Sequence, residues 1–403
     1  MSAVVLNFAF GQSANKRNDM TPSEDFVLRI CKHSFLPFWS FLSPIGKNRK
    51  ELCDVLIVCG ENVVIISVKD ISVSHHHDQQ VQFERWARNA IDDSVKQIYG
   101  AERFLNSMNE ISTKDGIRIK LPHKPKRNTF RIAIAFGSKP NFPLPHGNFG
   151  KGYVHVYDEK STSIVLNELD TITDFTDYLI AKENLFKKCN VLIPSESDFL
   201  AIYLQTGLKF QGNFNTITCG DDEWGNYIKS DDYADWRRDI LPSYIWDELV
   251  NTMHKHHARP GTSKERILQL EEAIRYINLE SRMNRIELGK VLFDAIKKKV
   301  SRRMIRPLPG RKHTYVFIPL SRKNWDGKES ELKICCTIAR AENPEAETII
   351  GIAIGRSPTQ KLYFDYCYLH LPEINNEFIK RAKVVKQELG YFKEPVVTNS
   401  KDF

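Results

Sequence analysis

Two apolar runs separated by a tight polar break dominate the first third of the chain. Val55-Leu-Ile-Val58 is followed by Cys59-Gly60-Glu61-Asn62 and then by Val63-Val-Ile-Ile66. β-Branched runs around a Gly-containing break predict a β-hairpin. The first strand is entered from Glu51-Leu-Cys-Asp54, and the second continues through Ser67-Val68-Lys69. Strand side chains alternate, so Ile65, Ser67 and Lys69 share one face and Ile66, Val68 and Asp70 the other. Strands this apolar are normally buried, and Asp and Lys are seldom buried without a partner or a purpose. An acid and a lysine brought together beside dry strands suggest a metal-dependent active site.

The pattern along the rest of the chain predicts the other elements. Thr21-Pro22-Ser23-Glu24 predicts a helix start, with Thr21 as cap, Pro22 in the first turn and Glu24 closing a capping box. Val27, Ile30 and Cys31 form its apolar stripe, and it ends near His33 ahead of Pro37. A polar loop from Ser72 to Gln82 carries His75-His76-His77. One long helix is expected from Phe83 to Met108, because Trp86, Ala90, Ser94, Gln97 or Ile98, Ala101 and Leu105 recur at helical spacing. After a basic, Pro-containing loop from Arg118 to Arg127, Phe130–Phe136 and Tyr153–Tyr157 predict strands, and a helix runs from Asp170 to about Glu183. Residues 190–300 look largely helical, with a long charged helix from Ser263 to Lys299. Strands then return at Thr314–Pro319, Leu332–Ile338, Thr348–Ile354 and Leu362–Tyr368, before a helix from Asn375 to Leu389. The expected organisation is an α/β unit over 1–185, a helical connector over 190–300, and a small α+β unit with an antiparallel sheet over 301–403.

Composition narrows the classes. At 403 residues the chain has material for two or three domains, and 41% hydrophobic with 27% charged residues is ordinary for a globular protein. A net charge of +8 suits an anionic partner. The 8 cysteines are scattered with no C-x-x-C pair, which argues for reduced core thiols rather than a zinc module. No apolar run reaches membrane-spanning length, and the start lacks the basic leader and long apolar core of a signal peptide. A cytoplasmic location and no membrane partner are expected.

The ordered set of Glu24 on a first helix, Asp54 on one strand, Ser67-Val68-Lys69 on the next, and Gln97 within Lys96-Gln97-Ile-Tyr-Gly-Ala-Glu-Arg103 on a second helix resembles the PD-(D/E)xK nuclease superfamily. The resemblance covers about residues 20–160 and extends to uncharacterised bacterial members, some suspected of phage-defence roles. It departs from the pattern at Ser67, where the family usually carries an acid. It implies an α-β-β-α-β core, a mixed sheet flanked by helices, and hydrolysis of DNA, with RNA second, using Mg²⁺ or Mn²⁺. It further implies Asp54, Glu24 and the Val68 main-chain carbonyl as metal ligands, Lys69 as the group that orients water and steadies phosphate charge, and Gln97 as a hydrogen-bonding partner in the site. A hydroxyl is a poorer Mg²⁺ ligand than a carboxylate, so Ser67 would act through a metal-bound water.

Plainer roles compete with these. Glu24 is equally suited to a cap alone, Asp54 and Lys69 to a structural ion pair, and Gln97 to a satisfied polar position on a helix face. Strand parity places Glu51 opposite Asp54, and Asp70 opposite Lys69. The histidine run reads as a solvated loop tip. For nucleic-acid contact the strongest signal is Lys297, Lys298, Lys299, Arg302, Arg303, Arg306, Arg311 and Lys312, a stretch with no acid. A second basic loop contains Arg118, Lys120, Lys124, Lys126 and Arg127. Two rival readings stand beside the nuclease: a nucleic-acid binder with a decayed site, and an interaction or sensor protein. A second copy of the chain or a defence-complex subunit are the candidate protein partners.

Overall fold

The computed structural model describes residues 20–139, 142–210, 215–218, 220–257, 264–298, 302–308, 310–357 and 362–392. Lys299 of the basic run lies outside the described residues, and nothing is described of the Lys298 side chain. The protein is a mixed α/β structure with several sheets flanked by helices. Among the described residues no helix is long and apolar enough to cross a membrane.

Helix α1 (Pro22–Ser34) opens with the expected capping box. It leads into strand β1 (Ser40–Leu42) and then the hairpin of β2 (Val55–Cys59) and β3 (Asn62–Asp70). Cys59 pairs with Asn62 across the turn, and Gly60 takes φ +63, a left-handed conformation that glycine adopts without a Cβ penalty. The helical stretch that follows is continuous, as the single helix expected there, with helical backbone angles on both sides of a π-turn that interrupts its hydrogen-bond pattern. It consists of α2 (Gln79–Ala87), a π-turn over Arg88–Asp92, and α3 (Asp93–Leu105). Strand β4 (Asn128–Phe136) lies parallel to β3; the short β5 (Gly147–Asn148) and β6 (Tyr153–Tyr157) complete a six-stranded sheet in the order β1-β2-β3-β4-β6-β5. One face packs on α1, α4 (Glu159–Glu168) and α5 (Ile172–Phe186); the other packs on α2 and α3.

The remaining helices include α6 (Glu196–Gln205), α7 (Tyr244–His257), α8 (Lys264–Asn278) and α9 (Arg282–Lys298). The long charged helix expected over Ser263–Lys299 is therefore two helices, interrupted at Leu279–Ser281. In the last third, β7 (Arg303–Met304), β8 (His313–Pro319), β9 (Thr348–Arg356) and β10 (Leu362–His370) form a four-stranded sheet. The stretch Leu332–Ile338, expected as a strand, belongs to helix α10 (Lys328–Glu342). Leu332, Cys335, Cys336 and Ala339 recur at three- and four-residue steps and are buried, which is a helical stripe. The topology requires this helix, because β8 and β9 pair in parallel and a parallel pair needs a crossover. The C-terminal sheet is accordingly mixed rather than antiparallel. Helix α11 (Asn376–Leu389) ends the described chain and packs against α10.

These parts share one core. A single apolar cluster runs from Val27 through Val64, Phe175, Trp246 and Leu270 to Phe317 and Tyr366. Trp246 packs against Tyr315 and Phe317 with ring centroids 5.5 and 5.7 Å away, so α7 packs on the C-terminal sheet.

Polar groups lock the same junction. Arg282 donates from Nε to Asp170 Oδ1 at 2.8 Å and from Nη1 to Asp247 Oδ2 at 2.9 Å, and its guanidinium lies 4.6 Å from the Tyr244 ring centre. Arg285 pairs with Asp247 and donates to the carbonyls of Glu280 at 3.0 Å and Asn278 at 2.9 Å. Glu280 Oε1 meets His313 Nε2 at 2.7 Å and accepts from the Tyr315 hydroxyl at 3.0 Å. Burial alone would disfavour charge on both groups. The carboxylates of Asp247 and Asp170 nevertheless hold Arg282 above its ordinary pKa, and His313 holds Glu280 below its own. Breaking a buried pair leaves an uncompensated charge, so Arg282→Met should lower unfolding stability by about 3–5 kcal/mol. Arg381→Met, which removes an exposed pair with Glu377, should leave the denaturation midpoint unchanged. Equal responses of the two variants in guanidinium unfolding would refute a structural role for the buried pair.

Candidate active site at the end of the hairpin

The site arises from a mismatch in strand length. The ladder between β2 and β3 ends at Val55↔Ile66, whereas β3 continues to Asp70 paired only with β4 on its other side. One further ladder bond runs from Asp54 N–H to the Ile66 carbonyl at 3.1 Å. Beyond it the chain bends away: Ser43 N–H donates to the Asp54 carbonyl at 2.9 Å, and Leu52 N–H to the Pro44 carbonyl at 2.8 Å. The exposed ladder edge of β3 would leave Val68 N–H without a partner. The Asp54 carboxylate takes that place, accepting from Val68 N–H at 2.6 Å. N–H and C=O of one strand residue point the same way, so the Val68 carbonyl faces this same gap.

Alternation then gathers the remaining groups. Leu56, Val58 and Ile65 pack with Ile91, Val95 and Ile98 on the α3 side. Ser67 and Lys69 share the parity of Ile65 and therefore that face, while Asp54 sits at the edge of β3 against the Val68 N–H. Ser67 is fully buried and donates to Gln97 Oε1 on α3 at 2.8 Å. Helix α3 is held against the sheet by a second polar clamp, Arg131 Nε to Glu102 Oε2 at 2.7 Å, and by Tyr99 OH donating to the Gly152 carbonyl at 2.7 Å. These contacts fix the rotation of α3 and hence where Gln97 points. Lys69 is half-buried, and its charge bears on Asp54.

Asp54 is only 4% exposed, and burial pushes its carboxyl up to about 7. The Val68 N–H and the Lys69 charge pull down, while a hydrogen bond with Glu51 and the charge of that residue push up. Glu51 is thus a neighbour of Asp54, against the expectation from parity. Residues 51–54 are not a regular strand, so period two does not apply to them. Lys114 Nζ lies 3.2 Å from Glu51 Oε2. Sequence reasoning missed this second carboxylate; the only available signal was its spacing of three from Asp54.

Glu24 performs the plainer of its two roles. Its carboxylate accepts from Thr21 N–H at 2.9 Å, and it is not among the groups that act most strongly on Asp54. Helix α1 lies across the sheet from α3, where Ser23 hydrogen-bonds Asp70, which faces that side as its parity predicts. The histidine run is local loop structure: His76 and His77 stack at 4.3 Å, and Asp78 N–H donates to His76 Nδ1 at 3.0 Å.

Several basic residues singled out for nucleic acid are engaged within the chain. Arg302 pairs with Glu331 and stacks on Tyr391 at 3.7 Å, and Arg303 meets Asp294 at 2.9 Å. Lys312 meets Glu347 at 2.6 Å. Arg127 clamps the carbonyls of Pro122, Leu105 and Met108 at 2.7, 2.7 and 2.8 Å, a structural use that fixes the loop to α3. Lys126 lies 3.8 Å from Glu61 and stays exposed. Lys124, Lys297 and Arg306 are exposed.

Among the described residues no three or more His, Cys, Asp or Glu side chains are grouped to hold a metal ion. The donors at the gap are the Asp54 carboxylate, Glu51 beside it and the Val68 carbonyl. An all-oxygen set with few protein ligands fits Mg²⁺ or Mn²⁺, which retain several waters, and does not fit zinc. No protein-family model, curated protein or solved structure matches this chain.

The titration of Asp54 gives a test that needs no substrate. Its carboxyl ionises near 3.8 when unfolded but near 7 in the folded chain. Between those values the unfolded state binds fewer protons, so the wild type loses stability as pH rises from about 4 to 7. Asp54→Asn lacks this loss. Its stability relative to wild type should climb over that window and level off above it, measured by denaturant unfolding in a chelator. Parallel pH profiles would rule out the raised Asp54 carboxyl.

Proposed function

We propose that the chain is a metal-dependent nuclease of the PD-(D/E)xK type acting on DNA. Its core is the α-β-β-α-β arrangement of α1, the β2–β3 hairpin, α3 and β4. The observation that carries this reading is the convergence of Asp54, the Val68 main chain, Ser67, Lys69 and Gln97 at the overhang of β3. A purely structural ion pair would not need the Ser67–Gln97 bond or the loss of the ladder partner at Val68. Asp54, Glu51 and the Val68 carbonyl would hold Mg²⁺ or Mn²⁺, with Glu51 contributing the charge that the family places at position 67. When bound, the cation supplies a water of lowered pKa and charge neutralisation at the phosphate. Lys69 orients the attacking water and steadies negative charge on the phosphate oxygens. Gln97 fixes the Ser67 hydroxyl, which then accepts from water in the site. Lys124, Lys126, Lys297 and Arg306 are exposed cations available to phosphates.

A second reading, a nucleic-acid binder without cleavage, is favoured by the burial of Asp54 and by the pairing of Ser67 within the protein. Plasmid DNA incubated with the full chain and Mg²⁺ or Mn²⁺ separates the two. The nuclease reading expects cleavage, reduced on the order of 10²-fold or more by Asp54→Ala and by Lys69→Met, and reduced by Glu51→Gln, with binding retained. Cleavage indifferent to all three substitutions would end the assignment of this site. Salt-dependent binding without cleavage would select the second reading.

A further inference from the structure

A separate cluster lies in the C-terminal sheet, on the face covered by α10. Cys336 of α10 is fully buried, and Cys367 of β10 is partly exposed. The two thiols are close enough that each is the first influence on the other's ionisation. The strand between them makes room for the contact. Gly351 of β9 pairs directly with Cys367, and a Cβ placed on Gly351 would stand 2.5 Å from Cys336 Sγ and 3.5 Å from Cys367 Cβ. Any side chain there would occupy the space in which the sulfurs meet. Cys335, one residue away, lies near Arg302 instead, whose charge bears on it.

We propose that Cys336 and Cys367 form a dithiol that hydrogen peroxide oxidises to a reversible disulfide, cross-linking α10 to β10. The neighbouring Cys336 thiol favours the Cys367 thiolate and pulls its pKa down, and the positive charge of Lys333 acts the same way. The same pairing pushes Cys336 up, followed by burial, which marks it as the thiol that keeps its proton. Partial exposure lets peroxide reach Cys367 first. The Cys367 thiolate attacks one peroxide oxygen; the O–O bond breaks, a sulfenic acid forms and, with one proton, water leaves. Cys336 sulfur then attacks the Cys367 sulfur. The S–S bond forms, and the hydroxyl leaves as a second water with the Cys336 proton. Two thiols and one peroxide give one disulfide and two waters.

The test uses the full chain, reduced and then treated with hydrogen peroxide before denaturation and alkylation with a polyethylene-glycol maleimide. Wild type should lose two of its eight alkylatable thiols, and dithiothreitol should restore them. Peptide mapping without reduction should show the segments containing Cys336 and Cys367 joined. Cys336→Ser and Cys367→Ser should each abolish that cross-link, as should Gly351→Ala, which keeps all eight thiols but separates the sulfurs. Retention of eight thiols in treated wild type would overturn the proposal. So would a cross-link to any other cysteine, or Cys367 recovered as sulfinic acid with Cys336 still reduced. Mapping of the wild type decides the question even if a variant fails to fold.

Discussion

Two arginines in the first turn of α9, just after the break that follows α8, hold the molecule together. Arg282 reaches Asp170 at the start of α5 and Asp247 on α7, and Arg285 reaches Asp247 and the carbonyls of the break itself. Asn278 donates to Cys59 Sγ on the hairpin at 3.2 Å, and Glu280 ties to His313 and Tyr315 on the C-terminal sheet. Every major part of the chain therefore meets at residues 278–285. The apolar core around this knot is continuous, so the charges sit in a low-dielectric junction where each needs its partner. This also explains the interruption of what the charge pattern suggested was one helix. A straight helix would carry Glu280 and Arg282 past their partners.

The hairpin end depends on this junction only indirectly; its own logic is backbone satisfaction. A strand that outruns its neighbour exposes ladder groups, and a buried unpaired N–H costs free energy. Asp54 meets the need at Val68 with a side chain instead of a strand. The result is a carboxylate drawn into a dry place, with Glu51 and Lys69 adjusting its charge. A group used for backbone satisfaction is thereby also the one that the proposed reading assigns to a hard cation, with the Val68 carbonyl facing the same gap. Structure and proposed chemistry use the same atoms.

Mapping the residues singled out in the chain onto the fold separates two kinds of signal. Local patterns survived: the α1 capping box, the Cys59–Asn62 turn, the alternation that places Ser67 and Lys69 together, and the helical spacing that aims Gln97 at the sheet. Patterns that depend on neighbours did not. Leu332–Ile338 is apolar enough for a strand, and the parallel pairing of β8 with β9, which needs a crossover between them, decides for the helix that the 332/335/336/339 spacing also fits. Arg127, Arg302 and Arg303 look alike in a basic run, yet carbonyls and acids distant in sequence engage them. Glu51 was assigned to the wrong side because parity holds only inside a regular strand.

By itself the sequence determined the hairpin, its facing residues and the helix that meets it, since periodicity and capping act over a few residues. Tertiary structure alone decided that β3 would overhang β2, that Glu51 would stand beside Asp54, and that the connector helices would break around Arg282. Those outcomes depend on which backbone groups lack partners and which charges become buried, and both are properties of packing between segments, whether 14 residues apart, as with Asp54 and Val68, or 112, as with Asp170 and Arg282.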